Sequence, residues 1–254
     1  MGLFSSRSIP RASVLQITTL LLVLSILAAA YAILAYCLRG PEDSTLATFV
    51  RPLCHFYVRA VHRLRIFPPT DVVPRSGPAI LVANHRSGVD PILIAILTQR
   101  RVRFLMAREY YEVYGLKWAF RSLGCIPVNR DGNDLGATKS ALKALRHGEV
   151  IGIFPQGGIR DAKGSLEGKA GVALLSLRSG APVVPFYIYG SRNLDSVGLS
   201  LITPSRTWVN CGVPLLFSAS EAKPGRETLE RTTAEILESI TRLKPLLPKP
   251  DLAV

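Results

Sequence analysis

The sequence is short of acid, of aromatic rings and of paired cysteines. Only 18 of its 254 residues are Asp or Glu against 31 Lys and Arg, so the chain carries a formal charge of +13. Aromatic residues are 7% and charged residues 19%. With 48% hydrophobic residues and a mean hydropathy of +0.26, a disordered chain is excluded. The basic excess calls for an anionic partner: nucleic acid, an anionic membrane or a phosphorylated substrate. No stretch interleaves aromatic and basic residues as a base-stacking surface does, so nucleic acid is not expected as a partner. Cys37, Cys54, Cys125 and Cys211 lie far apart with no C-x-x-C pair, which predicts free thiols in a reducing compartment. Also missing are a G-x-S-x-G elbow, an H-E-x-x-H zinc helix and a G-x-G-x-x-G dinucleotide turn. The run from Gly164 to Ala170 imitates a phosphate loop, but it is one residue short and has Ala170 where a magnesium-binding hydroxyl belongs.

What is present begins with a long apolar run. Val14–Leu38 holds no charged residue and is interrupted only by Gln16, Thr18, Thr19 and Ser25. As a helix it would measure about 37 Å, enough to cross a hydrocarbon layer of about 30 Å with tilt. It reads as an N-terminal membrane-anchoring helix over residues 1–39. The competing reading is a cleaved signal peptide, with Arg7 and Arg11 in its basic region and Ala30-Tyr31-Ala32 as its cleavage site. The run continues past that site to Leu38, which favours the anchor. Residues 40–77 follow as a basic amphipathic segment. Phe49, Leu53, Phe56, Tyr57, Ala60, Val61 and Leu64 recur at helical spacing, while Arg51, Arg59, His62 and Arg63 fall mostly on the other side. Such a helix either lies in a membrane interface or turns its apolar face to the core of a soluble domain.

From Pro78 the pattern alternates. Strands are expected at Ala79–Ala83, Val102–Met106, Cys125–Val128, Val150–Phe154, Val183–Tyr189 and Thr207–Cys211. Helices are expected at Pro91–Leu97, Tyr110–Leu123, Leu135–His147, Lys169–Ser179 and Glu227–Lys244, with Gly148 and Gly180 placed to end two of them. Alternation of this kind predicts an α/β domain over residues 78–244, a mixed, mostly parallel sheet flanked by helices, with residues 245–254 as a flexible tail. Functional loops should then follow the carboxyl ends of strands.

One such loop carries chemistry. Asn84-His85-Arg86-Ser87-Gly88-Val89-Asp90 directly follows the apolar run Ala79–Ala83, so His85 emerges at a strand end. A histidine with a nearby carboxylate is the minimal general-base pair, the carboxylate fixing the tautomer and stabilising the imidazolium. On a regular helix a spacing of five would point the two roughly 140° apart. Gly88 and Pro91 argue instead for a loop that folds back. Asp90 followed by Pro91 is equally an N-cap for the next helix.

Asn84–Asp90 resembles the NH-x4-D signature of the glycerolipid acyltransferases, the 1-acylglycerol-3-phosphate (lysophosphatidate) acyltransferase family. Three further blocks resemble that family in order: Gly124-Cys125-Ile126-Pro127-Val128-Asn129-Arg130, Phe154-Pro155-Gln156-Gly157, and Val184-Pro185-Phe186. Lys169 and Gly171 are similar to a Lys-x-Gly that follows the third block. The chain departs from the pattern at Gln156, where the family has glutamate, at Gly158 for threonine and at Ile159 for arginine, with Arg160 one residue later. Gly157 and Gly158 would let that loop turn to return Arg160 to the site.

The resemblance implies a glycerolipid acyltransferase fold and a reaction. A fatty acyl group would pass from acyl-CoA or acyl carrier protein to the sn-2 hydroxyl of lysophosphatidate. His85 would act as base with Asp90 orienting it, and Arg130, Gly157, Arg160 and Lys169 would bind substrate. It implies no metal and no resident cofactor, a lysophospholipid and membrane lipid as partners, and a membrane location with the active site facing the cytoplasm. The departures keep other acceptors open, glycerol 3-phosphate and a lyso-ornithine lipid among them. A non-catalytic lipid-binding protein is a further alternative, against which an intact His85 and Asp90 argue.

Overall fold

The computed structural model describes residues 54–68, 72–115, 117–129, 134–155, 166–194, 197–219 and 224–244. Among them the strands are β1 (Arg65–Phe67), β2 (Ala79–Ala83), β3 (Val102–Ala107), β4 (Ile126–Val128), β5 (Val150–Ile153), β6 (Val183–Tyr189) and β7 (Trp208–Cys211). They form one sheet in the order β1-β7-β6-β2-β5-β3-β4. Every neighbouring pair is parallel except β6 and β7, which run antiparallel. Strands covered on both faces read as unbroken apolar runs, which is why Ala79-Ile80-Leu81-Val82-Ala83 is buried at every position.

The pleat of β2 divides two cores. Ala79, Leu81 and Ala83 join one cluster with Cys54, Val58, Leu64 and the helix Asp90–Ala95. Ile80 and Val82 join the other, with the helices Leu135–Arg146, Leu166–Ser179 and Arg226–Arg242. Alternate residues of a strand point to opposite faces, so these clusters lie on the two sides of the sheet. Asp134 starts the helix Leu135–Arg146 by accepting a hydrogen bond from the Ala137 N–H at 2.9 Å, and a second from the Asn129 N–H at 2.9 Å. Those two backbone donors hold its carboxyl below the ordinary carboxylate range.

Several expectations change. The domain begins earlier than Pro78: a helix over residues 54–60 buries Cys54 and Val58, and β1 adds a strand unread in the sequence. A three-residue strand, Arg65–Phe67, is too short to show a period. The single helix expected over Tyr110–Leu123 is two, Arg108–Tyr111 and Lys117–Ser122. Gly115, at φ 79°, takes the left-handed conformation between them and breaks the run. A short helix, Val197–Ile202, precedes β7 and has too few turns to show its pattern.

The free-thiol expectation fails at Cys54, which is disulfide-bonded to a partner outside the described residues. Wide spacing along the chain does not limit approach in space, so the lack of a C-x-x-C pair could not exclude this bond. Cys125 and Cys211 are free thiols, and burial pushes them up to about 11 and about 12. Among the described residues no helix is long and apolar enough to cross a membrane. The expected anchor at Val14–Leu38 and the tail 245–254 lie outside the described residues.

Candidate active site

The site is built where β2 ends. The ladder between β2 and β6 runs to the pair Ala83 and Phe186. Asn84 then extends it with its side chain: Nδ2 donates to the Ile188 carbonyl at 2.8 Å, and the Ile188 N–H donates to Oδ1 at 2.6 Å. This paired amide replaces a backbone rung, so the chain is held against β6 at Asn84 and turns away at His85.

Asp90 organises the turn. It is wholly buried, and its Oδ2 accepts from the backbone N–H groups of Arg86 at 2.6 Å and Ser87 at 2.7 Å. The same oxygen lies 3.1 Å from His85 Nδ1. The N-cap reading of Asp90 is therefore corrected. Val89 holds the N-cap position of the helix Asp90–Ala95 with no side-chain cap, and the Asp90 carboxylate faces back into the loop. A carboxylate only accepts, so Nδ1 donates the shared proton.

The imidazole is also held by its face. It stacks on Phe154 at 4.2 Å between centroids and 20° between planes, and Phe154 lies nearly parallel to Phe104 at 5.8 Å and 9°. Phe104 in turn crosses β5 over Gly152, where a Cβ would sit 2.4 Å from its ring. Four strands thus set one ring: β2 brings His85, β5 brings Gly152 and Phe154, β3 brings Phe104, and β6 fixes Asn84. Sequence reasoning marked Phe154 as the end of a strand and the first residue of a block. The ring-on-ring contact had no signal in the spacing.

The remaining expected residues are placed in part. Ala107 and Val128 are in register at the carboxyl ends of β3 and β4. Just beyond them, the exposed Arg108 donates through Nε to Asn129 Oδ1 at 2.6 Å. Arg130, the next residue, and Gly157 and Arg160 beyond β5 lie outside the described residues. Lys169 is in the helix Leu166–Ser179, with its side chain outside what is described. Arg108 fits the resemblance as a basic residue ahead of the second block, but it is not counted among the expected site residues. Among the described residues no three His, Cys, Asp or Glu side chains gather as a metal site would require.

A second histidine lies near this loop. His62 is wholly buried, its Nδ1 is 2.9 Å from Ser205 Oγ, and its Nε2 is 3.1 Å from the Leu201 carbonyl. Burial lowers it from the ordinary histidine value, partly opposed by the Leu201 carbonyl and the Asp90 charge. It lies among structural partners, and its role is support.

The chain that builds this geometry is similar to known proteins. Residues 67–189 match the model of the family described as Acyltransferase. The 1-acyl-sn-glycerol-3-phosphate acyltransferase of Streptococcus pneumoniae is 25% identical over 204 residues, covering 79% of this chain and 74% of that protein. The protein of the same name from Bacillus subtilis is 22% identical over 173 residues, covering 68% and 84%. Among solved structures, the 1-acyl-sn-glycerophosphate acyltransferase PlsC of Thermotoga maritima shares the fold. Its TM-score is 0.58 at 21% identity, covering 82% of this chain and 86% of that one.

Proposed function

We propose, from the premise that residues 67–189 are an Acyltransferase domain and the protein an acyltransferase, that it acylates the sn-2 hydroxyl of lysophosphatidate to give phosphatidate. The observation that carries this reading is the buried Asp90 carboxylate held against His85 Nδ1 at a strand end. In the proposed reaction His85 Nε2 takes the acceptor's hydroxyl proton as the oxygen attacks the carbonyl carbon of an acyl thioester. The tetrahedral intermediate collapses with cleavage of the C–S bond. The departing thiolate takes the proton from the imidazolium, which restores neutral His85. Asp90 keeps Nδ1 protonated and stabilises the transient cation. No bond to the enzyme forms, so none must later be hydrolysed.

For the acceptor phosphate we assign Arg130, with Arg160 or Lys169, as donors of charge-assisted hydrogen bonds. Supporting this, Arg108 and Asn129 meet at the strand ends beside which the chain continues to Arg130. Gly157 would give the loop after β5 the freedom to bring Arg160 inward. The thioester donor is acyl-CoA or acyl carrier protein. A second reading within the same superfamily, a different lyso-acceptor, is favoured by Gln156 and Ile159, where the resemblance loses a charge on each side. The deciding assay offers purified protein one radiolabelled acyl thioester and compares lysophosphatidate with glycerol 3-phosphate and lyso-ornithine lipid. Transfer to lysophosphatidate at the highest kcat/KM supports the first reading, and preference for another acceptor replaces it.

The apolar run Val14–Leu38 and the +13 charge support a membrane-bound enzyme facing an anionic cytoplasmic leaflet. The Cys54 disulfide opposes that orientation, since such bonds persist in oxidising compartments. Trapping of thiols in intact cells decides between them: a reduced Cys54 supports the cytoplasmic side, and an oxidised one rejects it.

A further inference from the structure

His62 is wholly buried, so it touches no substrate, yet every polar atom of its ring has a partner. Nε2 meets the Leu201 carbonyl at 3.1 Å, and a carbonyl only accepts, so Nε2 carries the proton. Nδ1 then accepts from Ser205 Oγ at 2.9 Å, and Ser205 Oγ accepts from Thr207 Oγ1 at 2.9 Å. Tyr57, whose ring meets the imidazole edge-on at 5.5 Å, donates its hydroxyl to the same Leu201 carbonyl. Burial favours the neutral imidazole and the protonated phenol, the forms these bonds need. The backbone fixes the ring as well: the Thr207 N–H donates to the His62 carbonyl at 3.0 Å, and the Ser205 N–H to the Val61 carbonyl at 3.1 Å.

Leu201 belongs to the helix Val197–Ile202, which is too short to hold itself in water. Two donors converging on its last turn anchor it to the segment 54–62. The same helix bears on the reactive turn. A Cβ on Gly88, midway between His85 and Asp90, would lie 2.7 Å from Val197 Cγ1, 2.7 Å from Ser200 Oγ and 3.1 Å from Val197 Cα. Ser200 Oγ donates to the Val197 carbonyl at 2.6 Å, so the contact with Gly88 is packing. Within the turn, Ser87 Oγ is buried without a hydrogen-bond partner. Asn84 and Asp90 tie the two ends of the turn, and the helix seats its middle.

We propose that His62 and Tyr57 are positioning residues for acyl transfer: by holding the Leu201 carbonyl they seat the helix Val197–Ile202 against Gly88, and so keep His85 and Asp90 paired. A base displaced by about 1 Å can cost about 10²-fold in rate, so a small shift of this helix is enough to matter. The proposal rests on acyl transfer as the reaction, and not on which acceptor is used.

Two amide variants separate position from stability. In His62→Gln the amide nitrogen overlies Nε2 and keeps a donor for Leu201; in His62→Asn it overlies Nδ1, and that donor is lost. Steady-state acyl transfer by the full chain in detergent, below each variant's Tm, should leave His62→Gln within about threefold of the parent in kcat. His62→Asn should fall about 10- to 100-fold in kcat with the acceptor KM little changed. Tyr57→Phe, which removes a single hydroxyl, should lower kcat about three- to tenfold, and it carries the test if His62→Asn does not fold. A second readout needs no turnover. At about pH 8, above the ordinary histidine value, nitrogen NMR shifts report which ring atom of His85 is protonated, the signals being assigned by their loss in His85→Ala. Nδ1 should be protonated in the parent and in His62→Gln, with mixed tautomers in His62→Asn and Tyr57→Phe. Equal kcat losses in His62→Gln and His62→Asn overturn the proposal, because they mark the loss of a buried ring and not of its link to Leu201. So does a folded His62→Asn or Tyr57→Phe with the parent's kcat and tautomer. A parent that acylates none of the lyso-acceptors refutes the lysophospholipid reading alone, and the His85 tautomer still decides this one.

Discussion

Replacing Asp90 by Asn removes one charge and almost no volume, which isolates what the carboxylate does. Its Oδ2 accepts from two backbone N–H groups, at 2.6 and 2.7 Å, and from His85 at 3.1 Å. Hydrogen bonds to a charged acceptor contribute about 1 kcal/mol more than neutral ones, so the two backbone bonds lose about 2 kcal/mol. The new amide nitrogen would take the place of Oδ1, which is buried with no hydrogen-bond partner, at a cost of about 1–3 kcal/mol. Together these set an upper bound near 5 kcal/mol, reduced because a neutral amide carries no charge-desolvation penalty. At about 2–4 °C per kcal/mol the Tm should fall by no more than roughly 20 °C. The folded variant should lose about 10²–10⁴ in kcat, because His85 loses the anion that selects its tautomer and stabilises its protonated form. Steady-state acyl transfer well below the variant's Tm, with folding checked by circular dichroism, measures this. His85→Ala should cost a similar factor, and adding Asp90→Asn to it should slow the enzyme no further, since the two act as one unit. An Asp90→Asn enzyme within about threefold of the parent in kcat would refute the reasoning, and so would a double variant slower by the full product.

Three further outcomes are expected. Gly152→Ala should push Phe104 off β5, destabilise the fold by about 1–3 kcal/mol in a denaturant titration and lower kcat by releasing Phe154 from the His85 ring; unchanged stability would show that Phe104 has room to give. Arg130→Ala should reduce kcat/KM for a phosphorylated acceptor about 10- to 150-fold with the thioester KM less affected, and Arg160→Ala tests whether the displaced arginine shares that role. His62 is held neutral by burial, so the unfolded chain binds the extra proton once the pH drops below the ordinary 6.5, and stability is lost there as pH falls; Tm measured between pH 7.5 and 5.5 should fall less steeply in His62→Gln.

The parts of the fold that could be read ahead were those with a long, clean period. Ala79–Ala83 and Val183–Tyr189 match the sheet residue for residue, because a doubly covered strand needs an unbroken apolar run. β1, with three residues, and the helix Val197–Ile202 have no such run, and they are held by contacts from far along the chain. Arg65 sits opposite Trp208, and Tyr57 reaches Leu201. The segment before Pro78 shows the limit most plainly. Its apolar spacing was compatible with a membrane interface or with a core, and the structure uses both sides: Val58 is buried while Phe56 is exposed. Periodicity reports that a face is apolar and leaves open what covers it.

The candidate site divides in the same way. Residue type and order named His85 and Asp90, but a spacing of five does not bring two side chains together on any regular element. The contact exists because the Arg86 and Ser87 N–H groups turn toward Oδ2, and Asn84 holds the start of that turn against β6. Nor did the sequence reveal why its blocks lie so far apart. The order β2-β5-β3-β4 answers that: the loops leaving the carboxyl ends of these four parallel strands begin at Asn84, Phe154, Arg108 and Asn129, and all leave one edge of the sheet. Strands distant along the chain are neighbours in the sheet, so each block needs only to follow its own strand to reach the same edge of the sheet. The His85–Asp90 turn after β2, the Phe154 ring after β5 and Arg108 after β3 can then vary separately. Gln156 and Ile159 are changes of that kind, altering the loop after β5 while leaving the His85–Asp90 turn intact.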